Sequence, residues 1–291
     1  MKKSQLMSVM LIISSATLYS ISTPLSKILL NYIPPNVMAT LLYLGAGIGM
    51  TFLGFIKKGT RKVYGQGHLT KRDLPYTIGI VVLDITAAVF LMIGLSKTTA
   101  ANVSLLNNFE IVATSLIALC LFREPISKRL WFAIWLVTLS SIILSVEGLN
   151  SFSFSFGSIF VILACICWGL ENNYTKILSS RNSLEIVVVK CLGTGVGLLI
   201  ISMILGEKTG NIFHIICGLI LGFVSYGLSI YLYVNAQREL GAAKTSTYYG
   251  ITPFVGTILS LIIFKQVPNF SFTIALLIMI MGAYFAYTDN V

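Results

Sequence analysis

A chain of 291 residues that is 56% apolar and only 10% charged, with mean hydropathy +0.89, is a poor soluble globule. Soluble domains carry about a quarter of their positions as charge, so the bilayer is the consistent solvent. The net charge of +10 does not indicate nucleic acid, because Lys and Arg sit in short gaps between apolar runs and no basic stripe alternates with exposed aromatics.

Runs long enough to cross a bilayer, bounded by Pro, Gly, Asn or charge, fall at about 6–30, 37–56, 74–96, 100–122, 128–147, 157–178, 184–205, 211–236, 242–264 and 271–288. Only the polar Ser96-Lys97-Thr98-Thr99 separates the third run from the fourth. The first run lacks a small-residue cleavage exit, so it is expected to stay as a span. All five cysteines (Cys120, Cys165, Cys167, Cys191, Cys217) lie in apolar runs without metal-ligand spacing and are read as small packing residues. With the N-terminus cytoplasmic, fifteen of the twenty Lys and Arg fall on the inside and four outside. This bias predicts both termini on the cytoplasmic side, and so an even number of spans, in the plasma membrane.

The chain also resembles itself. An offset of 142 residues lays Ala100-Ala101 on Ala242-Ala243 and Phe122-Arg123-Glu124 on Phe264-Lys265-Gln266. An offset of 149 lays Tyr19-Ser20 and Lys27 on Trp168-Gly169 and Lys176. The repeat holds five spans, an odd number, so its second copy must be inverted in the membrane. Inverted repeats mark many secondary transporters, whose site lies near the midplane between the halves.

With these stretches the chain resembles the drug/metabolite transporter superfamily in its ten-helix form with two EamA-type repeats. The resemblance is carried by Cys167-Trp168-Gly169, by Ala100 through Pro125 and by Gly241 through Val267, with Pro253 as the central proline and Glu124 as the terminal acid. Tyr19-Ser20 stands where a first Trp-Gly is usual, Ile111 replaces the first proline and Gln266 the second Glu. The resemblance implies an all-α integral membrane protein of ten transmembrane helices in two inverted five-helix repeats, residues 1–147 and 148–291. It implies a transporter fold and leaves the substrate open.

Four ionisable residues lie inside the runs: Asp84, Glu110, Glu171 and Lys190. A charge at mid-bilayer costs about 2.5–3.5 kcal/mol on insertion scales, so such residues face a partner or a cavity. Glu171 and Lys190 fall at matching depth on consecutive helices and form either a packing ion pair or a cytoplasmic closure of the pathway. Asp84 and Glu110 count near mid-depth with no basic mate there. Each is either protonated and hydrogen-bonded within the bundle or a site for an amine or an exchanged proton. Polar stripes at helical spacing accompany them: Ser15, Tyr19, Ser22 and Ser26; Asn107, Glu110 and Thr114; Trp168, Glu171 and Thr175; Tyr226, Ser229, Tyr233 and Gln237; Ser246, Tyr249, Pro253 and Thr257. Together they predict a polar central cavity with Tyr and Trp on its wall. Pro24 and Pro253 are candidate hinges, and Gly45, Gly49, Gly193 and Gly197 are candidate close-packing positions.

Nothing reads as an enzyme, since His68 and His214 have no metal or general-base company and no phosphate-cradling loop is present. The expected function is secondary transport, by alternating access, of a small polar metabolite. Three acids against one base favour an amine-bearing solute, either an amino acid or an organic cation. The alternative is a non-transporting signalling or lipid-handling protein on the same fold. No cofactor or metal is expected. The expected partners are the solute and the lipid bilayer, with no nucleic acid; proton coupling and homo-oligomerisation stay open.

Overall fold

A computed structural model describes residues 3–58, 67–123, 126–147, 153–178, 181–208, 211–240 and 249–288. Span 1 is the pair of helices Lys3–Ser20 and Ser22–Leu29, span 2 is Pro35–Lys58 and span 3 is Leu74–Lys97. Span 4 is again a pair, Ala100–Leu106 and Phe109–Phe122, followed by span 5, Lys128–Ser145. Spans 6 and 7 are Phe156–Leu178 and Ser183–Ile204. Span 8 runs through Ile212–Gly222, a π-helical stretch Phe223–Leu228, and Ser229–Leu240. Spans 9 and 10 are Thr252–Phe264 and Phe270–Tyr287. Eight of these are individually long and apolar enough to cross a membrane, and the last two are shorter apolar helices in their described parts. The expected start of span 9, with Ser246, lies outside the described residues, as does Glu124. Apart from a two-residue pairing of Val146–Glu147 with Ser153–Phe154 and an isolated bridge between Gly67 and Arg181, the described chain is helical and turn-linked.

Local chemistry sets the helix ends. The Thr99 side chain accepts from Asn102 N, so the polar segment between spans 3 and 4 ends one helix and caps the next. Asn182, Asn211 and Asn269 cap spans 7, 8 and 10 in the same way. Spans 4 and 9 close on Arg123 (φ 54°) and Lys265 (φ 48°), the two non-glycine residues with left-handed backbone among the described residues. These residues stand 142 apart, at the offset of the sequence repeat. Span 5 likewise maps residue for residue onto span 10.

Packing obeys the same symmetry. The most extensive contacts join a helix of the first half to one of the second: span 3 on 6, 1 on 8, 2 on 7, 5 on 10, 4 on 9, 4 on 6 and 2 on 8. Exchanging each span for its counterpart five places away returns a set of packed pairs that the bundle also contains. At the centre, the space a side chain would need at Gly47 is filled by Leu192, and at Gly195 by Leu44. The paired numbers fall as their partners rise, so spans 2 and 7 are antiparallel, with a pseudo-two-fold axis between them. The second half is therefore inverted relative to the first.

Glycines permit the close crossings. Gly45 lies against the Leu219 backbone of span 8 and Gly222 against the Leu42 backbone of span 2, with no room for a Cβ at either. Gly193 and Gly197 meet Val81 and Ile85 of span 3, the symmetry-related crossing. Cys165 and Cys191 are buried, whereas Cys120 is exposed. Large apolar side chains such as Ile48, Phe52, Ile200, Met203, Ile258 and Ile262 are exposed on helix surfaces, the dress of a bundle surrounded by lipid.

A methyl at Gly222 collides with backbone, not with a movable side chain. Gly222→Ala is expected to destabilise the detergent-solubilised protein by about 2 kcal/mol or more. Gly54→Ala, where only the end of the Leu184 side chain is near, should stay within about 0.5 kcal/mol of wild type. Thermal unfolding of the two variants checks the contrast.

Candidate functional site

The polar centre is built where spans 3, 6 and 7 meet. Asp84, on span 3, is fully buried, and Glu171, on span 6, is 3% exposed. Lys190 enters from span 7 and places Nζ 3.1 Å from Asp84 Oδ2 and 3.1 Å from Glu171 Oε1. The Trp168 indole donates to Asp84 Oδ1 at 3.2 Å, and the Thr175 hydroxyl donates to Glu171 Oε1. In hydrocarbon, such charges persist only when paired and hydrogen-bonded.

One expectation is thereby corrected. Asp84 does have a basic mate. Counting positions along helices treated Lys190 as a point near the start of span 7, but its four-carbon stem carries the ammonium several ångströms along the bundle. The expected Glu171–Lys190 pair is present and Asp84 shares its cation.

Glu110, on span 4, is held by a neutral group. Asn172 Nδ2 donates to Glu110 Oε1 at 2.6 Å and also reaches Thr114 Oγ1 at 3.4 Å. Asn173, next along span 6, donates to Thr114 O at 3.2 Å and Gly169 O at 2.8 Å. Asn107 lies at the break of span 4, where the Asn107–Asn108 turn separates two helices without any proline.

On the other side of the pseudo-two-fold axis stands a tyrosine cluster. Tyr226 of span 8 packs on Tyr19 of span 1 (ring centroids 5.4 Å) and on Tyr43 of span 2 (5.3 Å). Tyr249 adjoins Tyr19 at 6.0 Å and Tyr233 at 4.9 Å. Spans 8, 1 and 2 are the counterparts of spans 3, 6 and 7. Tyr226, Tyr19 and Tyr43 thus stand on the counterparts of the spans that carry Asp84, Trp168 and Lys190. The fold is symmetric here and the chemistry is not: one shell is charged, the other aromatic and hydroxylic.

Both candidate hinges lie at helix breaks. Span 1 is interrupted at Ile21, three residues before Pro24, and span 9 begins after a turn at Gly250–Ile251, just before Pro253. Each proline lacks the N–H that would bond the carbonyl four residues back. The Thr252 hydroxyl takes over the Tyr249 carbonyl at 2.6 Å, and Ser20 donates across to the Thr252 carbonyl at 2.8 Å. The two breaks are therefore packed on one another. Ser15 and Ser229 are joined by reciprocal hydroxyl-to-carbonyl bonds of 2.7 and 2.9 Å, which fixes part of two predicted stripes in helix packing. The Gln237 side chain and Ser246 lie outside the described residues.

The two ends of the bundle differ. Near residues 67–73 and 181–185, Arg181 grips Asp73 through Nε and Nη2 at 3.1 and 3.2 Å, and Glu185 contacts His68 Nδ1 at 3.2 Å and Leu69 N at 3.3 Å. At the opposite end two cavities, of about 390 and 410 Å³, share Thr99, Asn102 and Gln266 in their walls. Lys27, which donates to Leu95 O at 2.6 Å, lines the second. Between this end and Glu110, Ser26, Ser104, Asn107 and Asn108 each carry a buried oxygen without a hydrogen bond. Sequence reading missed Tyr43, Asn172, Asn173 and the Asp73–Arg181 clasp. Consecutive asparagines inside an apolar run were the available signal for two of them.

If Lys190 compensates both carboxylates it touches, Lys190→Met strands two buried acids and should cost about 3–5 kcal/mol. Asp84→Asn leaves Lys190 on Glu171 and should cost less, about 1–3 kcal/mol. Denaturation in detergent, followed by Trp fluorescence, should rank the variants in that order; equal stabilities would contradict the geometry.

The model of the EamA-like transporter family matches residues 6–146 and again 155–288. An uncharacterized transporter of Methanothermobacter thermautotrophicus is 27% identical over 96% of this chain and 85% of its own length. The uncharacterized inner membrane transporter YedA of Escherichia coli K12 is 27% identical over 78% of this chain and 72% of its own. A solved crystal structure superposes with a TM-score of 0.68 at 15% identity, covering 97% of this chain and 96% of that one, and so shares the fold. The chain is a multi-pass integral membrane protein, and it belongs to the EamA-like transporter family.

Proposed function

We propose that this transporter carries a small amine-bearing solute, an amino acid or organic cation, across the plasma membrane by alternating access between its two halves, residues 1–147 and 148–291. The observation that carries this reading is the excess of carboxylate over ammonium among the described residues of the bundle centre: Asp84 and Glu171 share Lys190, and Glu110 is held by the neutral Asn172. An ammonium gains most in such a place, and the tyrosine shell offers ring faces to it or to an apolar tail. An organophosphate would want the opposite balance. Trp168, Asn107, Tyr19, Tyr226 and Tyr249 complete the proposed binding surface.

Both termini are taken as cytoplasmic from the Lys and Arg distribution. On that orientation the cavities around Asn102 and Gln266 lie outside, and the Asp73–Arg181 and His68–Glu185 contacts close the cytoplasmic side. Pro24 and Pro253 supply the hinge regions, since their breaks touch each other where spans 1 and 9 meet. A coupling proton would be carried by Asp84 or Glu110.

Thermal stabilisation of the purified chain across amino acids, polyamines, quaternary ammonium compounds and sugar phosphates tests the substrate class. A ligand that binds only the folded state adds about 2.7 kcal/mol at a hundred times its Kd. An amine is expected to stabilise the wild type, and Glu110→Gln or Asp84→Asn should weaken its binding at least about tenfold, the effect of about 1.4 kcal/mol. Stabilisation by a sugar phosphate and by no amine contradicts the proposal.

A further inference from the structure

Lys190 does not have the setting of a permanent structural partner. Its ammonium is equidistant from two carboxylates on two different spans, at 3.1 Å each. Asp84 Oδ2 is wholly buried and meets the Lys190 ammonium at 3.1 Å off the hydrogen-bond direction, so the contact is one of charge more than of fixed geometry. Glu171 Oε1 already accepts the Thr175 hydroxyl, so it shares a single oxygen among donors. At the symmetry-related crossing of spans 2 and 8 the equivalent contact is Gly222 against Leu42, without charge, so the architecture itself does not require an ion pair there. A lysine ammonium is a compact point charge on a flexible stem, free of the planar fork that would lock an arginine in place.

We propose that Lys190 is a tethered occupant of the amine seat: its ammonium holds Asp84 and Glu171 in the empty carrier and yields those two carboxylates to the ammonium of the solute. This rests on the amine-solute reading above and adds to it a defined seat and a built-in competitor. It also explains how an empty site can lie within the membrane without exposing bare carboxylates. With solute bound, two ammonium groups share Asp84, Glu171 and Glu110.

The test uses the full chain in detergent. Lys190→Ala removes the propylammonium portion of the side chain and leaves its space, so n-propylammonium chloride is the probe, with 1-propanol and sodium chloride as controls. At concentrations on the order of 50 mM, propylammonium should raise the melting temperature of Lys190→Ala by about 3 °C or more, and that of the wild type by much less. The gain should vanish in Lys190→Ala/Asp84→Asn and be absent with propanol. No gain, an equal gain with propanol or in wild type, or a gain that survives Asp84→Asn overturns the proposal. If Lys190→Ala does not fold, Lys190→Ala/Glu171→Gln, with one carboxylate neutralised, takes its place with the same expectations. Rescue of the variant alongside an amine panel that leaves the wild type unshifted keeps the seat and removes the amine-solute reading. An amine hit without rescue does the reverse.

Discussion

Three charges must be buried together in a medium that does not tolerate any of them alone. Asp84, Glu171 and Lys190 come from spans 3, 6 and 7, so pairing the one ammonium with both carboxylates requires those three helices at one depth and one rotation. Glycine contacts fix the spacing. Gly193 and Gly197 let span 7 close on span 3, and the Gly94–Gly157 approach lets span 3 close on span 6. Removing the ammonium or separating the helices would each leave an uncompensated charge. The polar cluster and the packing therefore hold each other in place, and the arrangement is specific because its failure is expensive.

The inverted repeat gives this cluster a counterpart of different chemistry. Spans 8, 1 and 2 occupy equivalent positions and present Tyr226, Tyr19 and Tyr43. A strictly symmetric site would hold a solute equally well in two opposite orientations. With one shell charged and the other aromatic, a solute with an ammonium at one end has one favourable orientation. Helix irregularities gather around the same place: the Pro24 and Pro253 breaks, the Asn107–Asn108 turn and the π-helical Phe223–Leu228. Backbone that departs from the ideal ladder is tolerated at membrane depth only where neighbours or a cavity satisfy it. Here Thr252 and Ser20 do so.

Much of the fold was legible before any coordinates, because hydrophobic run length and charge bias act one residue at a time. The pairing of Phe122-Arg123 with Phe264-Lys265 was legible too, and the structure gives its physical reason: both stretches end in the same left-handed backbone. The proline breaks followed from the missing N–H. The break in span 4 did not, because asparagines and not a proline make it. At the site, residue types and approximate depths were readable, whereas the sharing of Lys190 by Asp84 was not, since it depends on the reach of a side chain between helices adjacent only through the fold. Tyr43 shares a face of span 2 with Asn36 and Thr40, but its place in the cluster comes from Tyr226 on span 8, which only the fold brings near.

The central claim is that the two ends of the bundle exchange accessibility around this buried cluster. Pulsed spin-label distances measured in lipid nanodiscs between Lys97 and Gln266, at the cavity end, and between Lys71 and Ile177, at the clasped end, test it most directly when recorded with and without a stabilising amine. The account predicts opposed changes, with the first distance shortening in a population where the second lengthens. Two distances that stay fixed, or that lengthen together, would contradict it.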